Sequence, residues 1–252
     1  MFFDGDIGVG QSGLGYPVSG HPQELLVMMD RYRIEKALVY DRGAVESGLF
    51  DRFSLVLDFC AGSDRLYPTI SLAPPATREM PPPDELIDII LAKGMKAVRV
   101  WPNYHAFDFD VFNFSAMLET LAEHRVPLFY HSNAAQDHPW AHRLAWRNIR
   151  EVAQAFPQLP IIVIWTGMQE NRHTLPVLEQ CPNVISDLTC VSFQYIEFVV
   201  EHFGSKQLCF ASHHPIHDAG IYTSWINYSG ITDEDRDAIA FGNLQRLVED
   251  IR

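Results

Sequence analysis

Short apolar runs recur along the whole chain, at Phe2–Phe3, Ala37–Tyr40, Tyr67–Leu72, Ala97–Trp101, Pro127–Tyr130, Ile161–Trp165, Val184–Ile185 and Leu208–Ala211. Several are continuous Val, Ile, Leu or Phe rather than alternating, which is the signature of parallel strands covered on both faces. Between them the period changes. Leu25, Met28, Met29 and Tyr32 stand at i, i+3, i+4 and i+7, and so do Phe114, Met117, Leu118 and Leu121. Ile149, Val152, Ala153 and Phe156 repeat the spacing, as do Leu244, Leu247, Val248 and Ile251. Each set draws one apolar stripe along a helix. Strand–helix alternation predicts a parallel sheet with crossover helices. Eight repeats in 252 residues fit a closed (β/α)8 TIM barrel, typically about 250 residues long. A single domain over residues 1–252 is expected, because no linker or shift in composition divides the chain. An open doubly wound sheet is the alternative, since alternation alone does not show closure.

Charge then narrows the partners. Lys and Arg total 19 against 32 Asp and Glu, a net charge of −13, and no basic block is present. Nucleic acid and anionic membranes are therefore not expected as partners. The start Met1-Phe2-Phe3-Asp4 lacks a signal-peptide pattern, and no apolar run reaches the ~18 residues of a membrane span. Cys60, Cys181, Cys190 and Cys209 form no Cys-x-x-Cys pair and read as buried, reduced thiols of a cytoplasmic protein. Association into a homo-oligomer is an expectation from general frequency only.

Gly8-Val9-Gly10-Gln11-Ser12-Gly13 matches G-x-G-x-x-G after a predicted strand. Dinucleotide binding needs a helix to open inside that motif. Here Gly15, Pro17 and Gly20 follow, and the helical pattern begins only near Pro22. The motif therefore reads as a Gly-rich first βα loop, and an oxidoreductase is a distant alternative.

Chemistry in a barrel collects at the C-terminal strand ends. Those ends carry Asp4-Gly5-Asp6, Asp41-Arg42, Arg99 followed by Trp101, Asn103, Tyr104 and His105, then His131-Ser132-Asn133, Trp165-Thr166-Gly167, Asp187, and Ser212-His213-His214-Pro215. Ionisable residues far apart in sequence would thus converge on one rim. His213 and His214 cannot both point inward. Arg99 is costly to bury alone and needs an acid or an anionic ligand beside it; a salt bridge to Asp6 across the barrel would meet that need.

The order and spacing of these segments resemble the amidohydrolase superfamily, in its amidohydrolase-related branch of small hydrolases, decarboxylases and lactonases. The resemblance rests on Asp4-Gly5-Asp6 in strand one, Gly94–Arg99, Val126–His131, Pro160–Gly167, Ala211–Pro215 and Gly242-Asn243. It implies a TIM barrel and a metal site whose β1 histidines would fall at Asp6 and Gly8. The strand-five histidine is kept as His131. The strand-six histidine is replaced by Trp165 and the strand-eight aspartate by His213, so the usual ligand set is degenerate.

Three readings follow from the resemblance. Asp6, His131 and His213 could hold one divalent ion, zinc by ligand chemistry. Without a metal, His131 or His213 would act as general base, Asp6 as orienter and Arg99 as anchor for a carboxylate, with Asn103, Trp165 and Asp187 lining the substrate. The resembled branch includes metal-independent lactonases. The expected activity is hydrolysis of a small anionic carbonyl compound such as a lactone or amide. The third reading is an inactive barrel that binds a small molecule or serves as a subunit.

Overall fold

The computed structural model describes residues 1–11, 19–46, 49, 53–131, 145–164, 171–188 and 193–252. Among them seven strands form one parallel sheet in sequential order. They are β1 (Phe2–Val9), β2 (Ile34–Asp41), β3 (Leu66–Leu72), β4 (Ala97–Val100), β5 (Leu128–His131), β6 (Ile161–Ile164) and β7 (Val184–Ser186). The helices between and after them include α1 (Pro22–Arg31), α2 (Arg42–Glu46), α3 (Phe53–Cys60), α4 (Pro83–Ala92), α5 (Val111–His124), α6 (Trp146–Ala155), α7 (Asn171–Gln180), α8 (Phe193–Phe203), α9 (Ala219–Tyr228), α10 (Asp233–Asp237) and α11 (Asn243–Glu249). The molecule is a TIM barrel. Among the described residues no helix is long and apolar enough to cross a membrane.

The eighth apolar run does not form a regular strand. Residues 208–214 form one isolated bridge with each neighbour, Ser186 to Leu208 and Ile7 to His214, rather than a continuous ladder. The reason lies in where the backbone N–H groups go. Cys209 N–H reaches Ser186 O at 3.1 Å, but Phe210 N–H turns to Ile239 O and Ser212 N–H to the Asp4 carboxylate. The ladder is therefore interrupted although the ring is closed, with Gly5 N–H on Phe210 O and Gly8 N–H on His214 O.

Alternation sorts the side chains into two cores. Outward residues such as Val98, Val100, Leu128, Ile161, Val163, Val184 and Phe210 pack under the helices. Inward residues Phe3, Leu38, Ala97, Phe129, Ile162, Ile164, Ile185, Cys209 and Ala211 form a second cluster, joined by Leu244, Leu247 and Val248 of α11. The lower barrel is thus filled by apolar side chains, and the next inward position along several strands is polar.

Strand β1 breaks the alternation once. Asp4 pairs with Ala37 and Ile7 with Val39, so three steps on β1 face two on β2. Such a bulge shifts the inward parity. Phe3 lies in the inner cluster, yet Ile7 and Val9 lie in the outer one, which turns Asp6 and Gly8 to the interior. Residues 12–18 of the glycine-rich run lie outside the described residues; α1 starts at Pro22 behind a His21 cap that accepts Gln23 N–H.

Candidate active site

Above the apolar layer, five strand ends converge. Asp6 of β1 accepts from Arg99 Nη1 of β4 at 2.6 Å. Its other oxygen lies 2.8 Å from His213 Nδ1, and His213 Nε2 lies 2.8 Å from Asp187 Oδ2, just after β7. His131 of β5 places Nε2 2.9 Å from Arg99 Nη1. The result is a continuous buried chain, Asp187–His213–Asp6–Arg99–His131, in which no residue is more than 1% exposed.

Arg99 is held on every side. Nε donates to Thr69 Oγ1 at 2.8 Å, Nη1 serves Asp6 and His131, and Nη2 donates to Gly5 O and, at 3.4 Å, to Leu38 O. A guanidinium has five N–H donors, and these are five protein acceptors. The Tyr40 and Phe129 rings flank it at 4.7 and 4.6 Å. All five donors face protein acceptors, and the expected bridge to Asp6 is present.

The charges follow from the contacts. Burial opposes ionisation of Asp6, but His131, Arg99 and His213 hold its carboxyl well below the usual carboxylate range. Burial would strip the proton from His213, yet the hydrogen bonds and charges of Asp187 and Asp6 outweigh it and raise its pKa to about 9. His213 is therefore an imidazolium at neutral pH. His131 goes the other way: burial, with the Arg99 and His213 charges, outweighs Asp6 and keeps it neutral. Its Nε2 can then accept from Arg99. In these states His213 carries a proton, while neutral His131 turns its Nε2 toward Arg99.

His213 also adopts a left-handed backbone, φ 58°, before a cis His214–Pro215 bond. Arg33, Arg78, Ala106 and Arg125 share that uncommon conformation elsewhere in the molecule. His214 is half-buried and outside the chain of contacts, as expected for the residue pointing the other way.

Several neighbours at the same strand ends were not singled out as site residues. Trp101 stacks on His131, with ring centroids 3.5 Å apart, and donates Nε1–H to Ser71 Oγ at 3.0 Å. Arg42 is buried at the end of β2 with Nη1 3.4 Å from the Tyr40 hydroxyl. Counting inward in twos would have found Trp101 from Arg99 and Tyr40 from Leu38. Asp4 also belongs to the architecture: burial raises its pKa to about 6, and one oxygen accepts both Asp6 N–H and Ser212 N–H. Asn103 is exposed, and Trp165 lies outside the described residues.

The expected metal set of Asp6, His131 and His213 does not fit a divalent ion. A ligating histidine needs an unprotonated nitrogen, whereas both His213 nitrogens face carboxylates. The Asp6 and His131 donor atoms are shared with the Arg99 guanidinium. Among the described residues no group of three or more His, Cys, Asp or Glu side chains is arranged to hold a metal.

The buried acid–base network lies at the C-terminal strand ends, the face where enzymes built on this barrel carry their active sites. The family model described as Amidohydrolase matches residues 22–248, and the chain belongs to that family. A comparison with curated proteins finds no match. Among solved structures, 5-carboxyvanillate decarboxylase LigW from Sphingomonas paucimobilis is similar over 100% of this chain and 99% of its own, at 14% identity and a TM-score of 0.75. The 2,6-dihydroxybenzoate decarboxylase from Rhizobium is similar over 98% of both chains, at 16% identity and a TM-score of 0.72. A dihydroxybenzoic acid decarboxylase from Polaromonas sp. JS666, with bound manganese and the inhibitor 2-nitroresorcinol, is similar over 98% of this chain and 96% of its own, at 15% identity and a TM-score of 0.70. Identities this low carry the fold alone.

Proposed function

We propose that the chain cleaves a bond at the carbonyl or carboxyl carbon of a small anionic compound, a lactone, an amide or an aromatic carboxylate, with His213 as proton donor. The observation behind this reading is the placement of both His213 ring nitrogens 2.8 Å from a carboxylate, Asp6 on one side and Asp187 on the other. A substrate group that displaces one carboxylate contact meets an N–H already carrying the needed proton. In hydrolysis that proton goes to the oxygen or nitrogen leaving as the C–O or C–N bond breaks, and water supplies the hydroxyl. In decarboxylation it goes to the carbon that keeps the electron pair as carbon dioxide departs. Water then returns a proton to the imidazole. Support for an anionic substrate comes from the carboxylates named for two relatives and from Arg42, a second buried cation beside Tyr40.

The test is a turnover panel of lactones, amides and hydroxybenzoates with wild type, His213→Gln and Arg42→Met. Loss of a general acid is expected to cost ~10²–10⁴-fold in kcat, while Arg42→Met should raise KM with a smaller change in kcat. Equal turnover in wild type and a folded His213→Gln variant would remove the proposed donor. A second reading, a barrel that binds its ligand without turning it over, is favoured by one observation: the donors of Arg99 and both nitrogens of His213 already have protein partners. Stabilisation by one member of the panel with no turnover would select it.

A further inference from the structure

We infer that the Arg99 guanidinium stands in place of a divalent metal as the fixed cation of this barrel. Its Nη1 lies 2.6 Å from Asp6 Oδ1 and 2.9 Å from His131 Nε2, two atoms that are themselves only 3.7 Å apart. An ion bound to both at a ligand distance of about 2 Å would sit within about 3 Å of Nη1, against a positive charge that cannot be removed. The guanidinium and an ion are therefore alternatives for one site.

Three further features hold the arginine there rather than leaving room for an exchange. Thr69, Gly5 O and Leu38 O anchor the far edge of the guanidinium, and Thr69 is itself fixed by donating to Val39 O at 2.9 Å. The Tyr40 and Phe129 rings fix its plane. The space beside Gly8 is also taken. A Cβ there would stand 2.7 Å from Arg42 Cγ and 3.0 Å from the Tyr40 ring and hydroxyl, so a ligating side chain at that position has nowhere to go. The inference concerns the cation site and is independent of whether a substrate is turned over.

The experiment measures metal content after incubation with excess Mn²⁺ or Zn²⁺ and desalting, together with thermal unfolding with and without EDTA. Full-length wild type, Arg99→Ala, Arg99→Lys, His131→Ala and the Arg99→Ala/His131→Ala double variant are compared. Wild type and Arg99→Lys should retain no ion that depends on His131, and EDTA should leave the wild-type Tm unchanged. Arg99→Ala should gain about one ion per chain, lose it again in the double variant, and be stabilised by the ion. Folding of Arg99→Ala only when zinc is present would support the same conclusion. Stoichiometric uptake by wild type that disappears in His131→Ala would overturn it, as would a folded Arg99→Ala variant that gains no ion. Should Arg99→Ala fail to fold under either condition, the wild-type and Arg99→Lys measurements decide by the same criteria.

Discussion

At the scale of single residues, the site is a problem of burying charge. Asp6, Arg99, His213 and Asp187 are removed from water, which is costly unless each is paired. Their alternating order along one hydrogen-bonded chain supplies the pairing. The need for an acid beside Arg99 was legible from its place in an apolar strand, and the convergence of Asp6, His131, Asp187 and His213 followed from their shared position at strand ends. Their protonation was not legible, because it depends on which partner lies at 2.8 Å and which on the other side of a ring. His213 gives a test of that pairing. Its pKa is raised in the folded protein from the ordinary 6.5 to about 9. The stability it contributes is therefore fully present below pH 6.5 and is lost as pH climbs through about 9, by roughly 3 kcal/mol in total. Denaturant unfolding measured from pH 6.5 to 9.5 should show this decline in wild type. In His213→Gln the slope attributable to this group should disappear; an unchanged slope would mean that the proton sits elsewhere.

At the scale of elements, the apolar runs marked the strands because a strand covered on both faces has little room for anything else. They underestimated β1. Asp4-Gly5-Asp6 looks like a strand ending, yet the strand continues to Val9, because those carboxylates find partners inside the protein. The bulge that turns Asp6 inward has no hydrophobic signature of its own. It depends on Asp4, which accepts N–H groups from Asp6 and from Ser212 and so ties the bulge to the closing segment. Asp4→Ala would leave two buried N–H groups without that acceptor, at about 1–3 kcal/mol each. Asp4→Asn keeps a carbonyl oxygen in nearly the same place. Urea unfolding is expected to rank wild type above Asp4→Asn and Asp4→Asn well above Asp4→Ala. Equal stability of the two variants would show that the acceptor is not what holds the bulge.

At the scale of the whole molecule, the question is what closes the ring. The seam on either side of residues 208–214 has few ladder hydrogen bonds, so an ordinary reading would make it the weak edge of the sheet. His213 changes that balance, because its two nitrogens reach Asp6 on one neighbouring strand and Asp187 beyond the other. The same imidazolium thus supplies the proposed acid and fastens both seams, and α11 packs Leu244, Leu247 and Val248 into the inner cluster behind it. The amides of Gly5, Gly8 and Cys209, which form the seam hydrogen bonds, should then exchange with solvent only through global unfolding, at rates close to those of Val98 and Val100 in the middle of the barrel. In His213→Gln the three seam amides should exchange faster while Val98 and Val100 keep their protection relative to the variant's own global stability. Native-state hydrogen exchange read by NMR or mass spectrometry distinguishes the cases. Fast exchange at the seam of the wild-type protein would mean that the barrel opens there locally, and that the ion pairs of His213 contribute to the site without contributing to closure.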